Sequence, residues 1–168
     1  ITTRKLIEDV DLSTLTALSS KTFVLTDGGY DYFEIWLQNG KGSATTQWRV
    51  EFSDDGGSTF NPEGSSNNYI LGPNTSSRAY LSSSVSFRSE YNGLSGQFRL
   101  ENFFNTTDYP VLGIATNPGY YSVINSGEPL GGYYYTHTGY SMNAFKVYLQ
   151  SGTFVSGRIR VYGVKEPT

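Results

Sequence analysis

The chain has 168 residues, and 12 Lys and Arg against 15 Asp and Glu give it a formal net charge of −3. This length predicts a single domain over residues 1–168. The slight negative charge excludes a nucleic-acid binder that works through a basic surface. Charged residues make up only 16% of the chain, against roughly 25% in ordinary soluble domains. Together with an aromatic share of 15%, this composition is typical of an all-β protein on the outside of a cell or particle.

Several classes of site are excluded by residue type alone. The chain has no Cys, so it forms no disulfide, thiolate nucleophile or zinc–thiolate site. It has one histidine, His137, which excludes any mechanism that needs two imidazoles. No run of 18 or more apolar residues occurs, so we expect no membrane-spanning helix. We also expect no bound metal and no cofactor.

Apolar residues alternate with polar ones along most of the chain, which predicts strands. In chain order the predicted strands cover residues 5–10, 22–25, 32–37, 47–52, 79–87, 96–104, 111–116, 120–124, 133–140, 145–149 and 157–162. Residues 61–77 and 125–132 are rich in Gly, Ser, Asn and Pro and are predicted as surface loops. Ten or eleven short strands at this spacing predict an all-β, two-sheet sandwich of the jelly-roll type.

One segment predicts a tight hairpin. Ser53, Asp55, Gly57 and Phe60 fit the pattern Ser-x-Asp-x-Gly-x-Thr-aromatic, which resembles the Asp-box hairpin of sialidases and many other β proteins. Asp55 is suited to accept N–H bonds from the turn, Gly57 to adopt a positive φ, and Phe60 to pack beneath the turn. We therefore expect a structural role. A calcium site on the adjacent Asp54 and Asp55 is the alternative, although EF-hand spacing is absent.

The most unusual segment is rich in tyrosine and contains Tyr133, Tyr134, Tyr135, His137 and Tyr140. Consecutive residues of a strand face opposite sides, so we expect some of these rings to be exposed. Exposed tyrosines suit contacts with glycans and with protein subunits. The alternative is that the rings fill an edge of the sandwich. His137 has no marked nucleophile or orienting acid beside it, and we expect no enzymatic activity.

Three stretches, taken in order, resemble a known group of proteins. They are residues 4–13 leading to 29–35, residues 50–60, and residues 145–165, which end in Gly-x-Ile-x-Val-Tyr-Gly-Val. This order and spacing resemble small β-sandwich modules of tailed-bacteriophage virion proteins, of the capsid-decoration, head-fibre or tail-fibre type. The resemblance covers nearly the whole chain, and its most specific parts are the closing strand and the Asp-Gly-Gly hairpin.

The resemblance implies a non-enzymatic virion structural protein on the capsid surface. Its expected partners are identical copies in a homo-oligomer, often a trimer in such proteins, and the major capsid or other virion proteins. One alternative is a tail-fibre module that binds host surface glycans through residues 133–140 and 61–77. Another is a cellular carbohydrate-binding module. A stand-alone chain of this length favours the capsid, whereas a piece of a longer protein favours a tail fibre.

Overall fold

The computed structural model describes residues 1–62, 69–71, 74–76, 78–82, 93–114 and 133–168. Within these ranges the chain forms twelve strands and one short 3-10 helix, Leu12–Thr14. The strands are β1 (Thr3–Asp11), β2 (Ser20–Val24), β3 (Tyr32–Gly42), β4 (Trp48–Ser53), β5 (Tyr69–Leu71), β6 (Asn74–Ser76), β7 (Ala79–Tyr80), β8 (Leu94–Glu101), β9 (Val111–Ile114), β10 (Tyr133–Tyr135), β11 (Ala144–Leu149) and β12 (Phe154–Lys165).

The described strands form two antiparallel sheets. One sheet has eight strands in the order β1-β12-β3-β8-β9-β10-β5-β6, and the other has four in the order β2-β11-β4-β7. Apolar side chains from both sheets form one buried cluster between them. The prediction of an all-β sandwich is therefore confirmed.

Strand pairing identifies the sandwich as a jelly roll. Strands from the two ends of the chain pair with each other, so β1 lies beside β12, β2 beside β11, β3 beside β8 and β4 beside β7. This is the pairing of one long hairpin that has been rolled into two facing sheets. The remaining strands, β5, β6, β9 and β10, extend the larger sheet beyond β8.

The period-2 pattern correctly predicts which residues enter the core. Phe33, Ile35 and Leu37 of β3 are at most 2% exposed. From the facing sheet, Trp48 and Phe52 of β4 are fully buried. Each such side chain contributes about 1.5–3 kcal/mol by leaving water. In β12, Ile159 and Val161 are likewise buried and the arginines between and before them face outward, as predicted.

Some predicted boundaries are wrong. The stretch 61–77 is not only a loop, because it contains β5 and β6, whose three residues each are too few to show an alternating pattern. The strand predicted over 133–140 ends at Tyr135, and beyond it the N–H of Gly139 donates to the carbonyl of Thr106 in the loop before β9, at 2.8 Å. Residues 63–68, 72, 73, 77, 83–87, 115–116, 120–124 and 125–132 of the predicted strands and loops lie outside the described residues.

Candidate functional site

The predicted hairpin forms with the expected hydrogen bonds. The backbone N–H of Thr59 donates to Asp55 Oδ1 at 2.8 Å, and the Thr59 hydroxyl donates to Asp55 Oδ2 at 2.6 Å. The Ser53 hydroxyl donates to Asp55 Oδ1 at 2.7 Å and accepts from the N–H of Gly57 at 2.9 Å. Gly56 and Gly57 adopt φ values of 73° and 90°, which favour glycine. Asp55 thus acts as the internal acceptor of the turn over residues 55–59.

These hydrogen bonds determine the charge state of Asp55. Bonds from the Thr59 hydroxyl and backbone, followed by that from Ser53, lower the pKa of the Asp55 carboxyl from 3.8 to about 2. Both oxygens of the Asp55 carboxylate accept hydrogen bonds from residues of the hairpin itself. Among the described residues, no group of three or more His, Cys, Asp or Glu is arranged to hold a metal ion. The geometry supports the structural interpretation of Asp55.

Phe60 is half-buried, and its ring lies near Gly57 of the hairpin. A Cβ built on Gly57 would lie 3.7 Å from Phe60 Cζ and 2.6 Å from Thr22 Cγ2. Gly57 therefore lets the turn approach β2 closely. The Lys146 ammonium lies 4.3 Å from the centre of the Phe60 ring. The hairpin is tied to the four-stranded sheet by these contacts.

Tyr69 links the base of the hairpin to the core. Its fully buried hydroxyl donates to Asn61 Oδ1 at 2.7 Å and accepts from the backbone N–H of Phe52 at 2.7 Å. The N–H of Asn61 donates to the carbonyl of Phe52 at 2.9 Å. Burial raises the pKa of the Tyr69 hydroxyl well above its usual value. Sequence analysis missed this residue because it lies in a segment predicted as a loop.

The structure places Tyr135 in the core. This residue is fully buried, and its ring centre lies 5.3 Å from that of Tyr69 and 6.3 Å from that of Phe52. The expectation that its ring contacts a glycan or a subunit is therefore corrected, because the ring is closed off from the surface. His137 and Tyr140 are half-buried beside it, with ring centres 5.9 Å and 6.4 Å from Tyr135.

Of the other predicted contact residues, the structure describes the side chains of His137 and Tyr140 but only the backbones of Tyr133 and Tyr134. The Nδ1 atom of His137 is hydrogen bonded to the hydroxyl of the adjacent Thr136 at 2.9 Å. The backbones of Tyr133 and Tyr134 pair with β9, and Tyr134 also pairs with β5. The side chains of Tyr133 and Tyr134 lie outside the described residues. Among the side chains that the structure describes, half-buried His137 and Tyr140 are the ones that belong to the predicted aromatic surface.

A second aromatic cluster lies on the outer face of the eight-stranded sheet. The rings of Trp36 and Tyr162 are half-buried and 5.0 Å apart. Trp36 Nε1 donates to the buried carboxylate of Glu34 at 2.8 Å. Arg4 donates to both oxygens of Glu34, at 2.9 and 3.2 Å. We call Trp36, Tyr162, Glu34, Arg4 and Arg99 the outer-face patch.

Arg99 completes this patch on the neighbouring strand. Its guanidinium lies 3.7 Å from the centre of the Tyr32 ring, and it pairs with Glu101 at 2.9 Å. Sequence analysis identified the core side of β3 but drew no conclusion from its other side. The signal was the alternation of Tyr32, Glu34 and Trp36 with the core-facing residues of the same strand, which are Phe33, Ile35 and Leu37.

No family model, curated protein or solved structure matches this chain. Among the residues that the structure describes, no helix is long and apolar enough to span a membrane.

Proposed function

We propose that this chain is a non-enzymatic structural protein on the surface of a tailed-phage particle, in the position of a capsid-decoration or head-fibre protein. The observation that carries the proposal is the jelly-roll pairing of its strands. Double-sheet jelly rolls recur in viral capsid and lectin domains. The resemblance of residues 4–35, 50–60 and 145–165 to phage virion modules supports the same assignment.

In this role the sandwich acts as a rigid block that binds through its surface. Each sheet has an edge strand with an exposed apolar side chain. Leu6 on β1 is 48% exposed and Val24 on β2 is 55% exposed. Glu8 and Lys21 join these two strands by an ion pair of 2.9 Å. Contact with identical copies or with capsid protein would bury this side of the molecule and cover the outer edges of β1 and β2, which pair with no further strand among the described residues.

The proposal is tested on purified virions of the phage that encodes the chain. Mass spectrometry of gradient-purified particles should find the chain in a fixed ratio to the major capsid protein. The purified chain should also bind particles from which it has been stripped. Absence from the particles would overturn the proposal.

There are two alternative candidates: a receptor-binding module of a tail fibre, and a cellular carbohydrate-binding module. Both are favoured by the outer-face patch, where aromatic and arginine side chains lie together on one sheet. A few copies per particle, located at the tail, would favour the tail fibre over the capsid. A catalytic domain encoded in the same longer chain would favour the cellular module.

A further inference from the structure

Three residues of the outer-face patch lie in a row of aligned residues that crosses five strands. The pairing of β1, β12, β3, β8 and β9 aligns Leu6, Tyr162, Glu34, Arg99 and Gly113 in one line across the sheet. Strands lie about 4.8 Å apart, so this row extends for about 19 Å. Trp36 lies in the next row, with its ring against that of Tyr162. The row is long enough to contact several units of an extended ligand.

The polar groups of the patch are held in position by the protein itself. Glu34 fixes both the Arg4 guanidinium and the Trp36 indole through three hydrogen bonds. Arg99 lies over the Tyr32 ring and is paired with Glu101. Side chains that are already ordered lose little conformational entropy when a ligand binds. These residues also lie on paired strands, which position side chains more rigidly than loops do.

The charges of this face select the class of ligand. Each of its arginines is paired with a carboxylate: Arg4 with Glu34, and Arg99 with Glu101. Arg160 and Arg158, further along β12, both pair with Asp9. An anionic ligand would have to displace one of these carboxylates, so the balance of charge favours a neutral ligand. Half-buried Trp and Tyr rings add apolar area beside hydrogen-bonding groups, which matches a molecule with both C–H faces and hydroxyls.

A recess beside Arg99 gives such a ligand room. Gly113 pairs with Arg99, and among the described residues a Cβ built on Gly113 would meet only the Arg99 carbonyl oxygen, at 4.0 Å. Glycine is not needed there for a left-handed backbone, since Gly113 is not among the glycines with positive φ. The missing side chain therefore leaves space between the described side chains on this face of the sheet.

We infer that the outer-face patch binds a neutral glycan, with Trp36 and Tyr162 packing on sugar rings and Arg4 and Arg99 donating hydrogen bonds to sugar hydroxyls. This site is distinct from the tyrosine-rich segment, in which Tyr135 is buried. It does not depend on whether the chain lies on a capsid or on a tail.

The test uses the purified chain on an array of neutral glucose, galactose, mannose and N-acetylglucosamine oligomers, together with anionic glycans. The best neutral oligosaccharide is then titrated by calorimetry. Trp36→Ala should weaken binding about tenfold or more, because it removes one aromatic contact. Gly113→Val should also weaken binding, since it fills the recess while favouring the strand. Phe60→Ala, which removes an aromatic ring beside a cation on the other sheet, is the matched control and should bind normally.

Four results would overturn this inference. The first is no binding to any neutral oligosaccharide, and the second is a preference for anionic glycans. The third is binding that survives both Trp36→Ala and Gly113→Val. If sedimentation instead shows that Trp36→Ala converts an oligomer into a monomer, the face is covered by a second copy and the glycan site is excluded. None of these results changes the particle measurement, so the inference and the proposed function fail separately.

Discussion

Replacing Tyr69 by Phe tests how the extended sheet and the hairpin are joined. The substitution keeps the buried ring and removes only the hydroxyl, which bridges Asn61 Oδ1 and the backbone N–H of Phe52. The described pairing of β7 with β4 covers only Arg49 and Val50. Further along β4, the Tyr69 hydroxyl and the Asn61 N–H therefore take the place of a neighbouring strand.

The expected loss follows from the surroundings of the two partners. Asn61 is half-buried, so water replaces the lost hydrogen bond and the cost is about 1 kcal/mol. Phe52 is fully buried, so its N–H loses its partner without replacement, which costs about 1–3 kcal/mol. The free energy of unfolding should therefore fall by about 2–4 kcal/mol. For a domain of this size, the melting temperature should fall by about 4–16 °C.

Urea denaturation followed by fluorescence measures this change. An unchanged slope of the unfolding free energy against urea concentration would show that the folded state is preserved. Tyr30→Phe is the matched control. The Tyr30 ring packs against Phe33 with centres 5.6 Å apart, and its hydroxyl has no hydrogen bond among the described residues. The control should stay within about 0.5 kcal/mol of the native chain. If Tyr69→Phe does the same, the proposed bridging role is wrong.

Three further predictions concern the hairpin and the tyrosine-rich segment. Tyr135→Ala should reduce the free energy of unfolding by about 3–5 kcal/mol, measured by denaturation, because the ring is fully buried; a stable variant would refute the core assignment. Gly56→Ala should cost about 1–2 kcal/mol from backbone strain alone, and Gly57→Ala about 1–3 kcal/mol more, because its Cβ meets Thr22 Cγ2 at 2.6 Å. Equal losses in thermal melts would contradict that contact. The stability difference between the native chain and Asp55→Asn should be complete above pH 3.8 and disappear as the pH falls through about 2, because the pKa of Asp55 is lower in the folded state. A difference that persists below pH 2 would show that the carboxylate charge is not responsible.

Sequence patterns predicted the features that depend on neighbouring residues. The alternation in β3, β4 and β12 identified their buried faces, because successive side chains of a strand point to opposite sides. The Asp-box pattern located the hairpin, because Asp55 bonds within four residues of itself. These features need no knowledge of the rest of the chain.

Features that depend on distant contacts could not be predicted in the same way. Alternation shows that Tyr135 and its neighbours differ in direction, but not that Tyr69 and Phe52 cover the Tyr135 ring. The outer-face patch likewise requires the pairing of β3 with both β12 and β8, which brings Trp36 to Tyr162 across more than 120 residues of sequence. The short strand β5 is held between β10 and β6, and β6 pairs with β5; three residues each are too few to show an alternating pattern in the sequence.

The proposed virion role is tested most directly by imaging purified phage particles from the source of the gene and locating the jelly roll in the reconstruction. The account predicts copies of the two-sheet fold repeated over the capsid surface, with β1 and β2 at contacts between neighbouring proteins. Particles without this fold would contradict the account, and copies confined to the tail would exclude the capsid assignment.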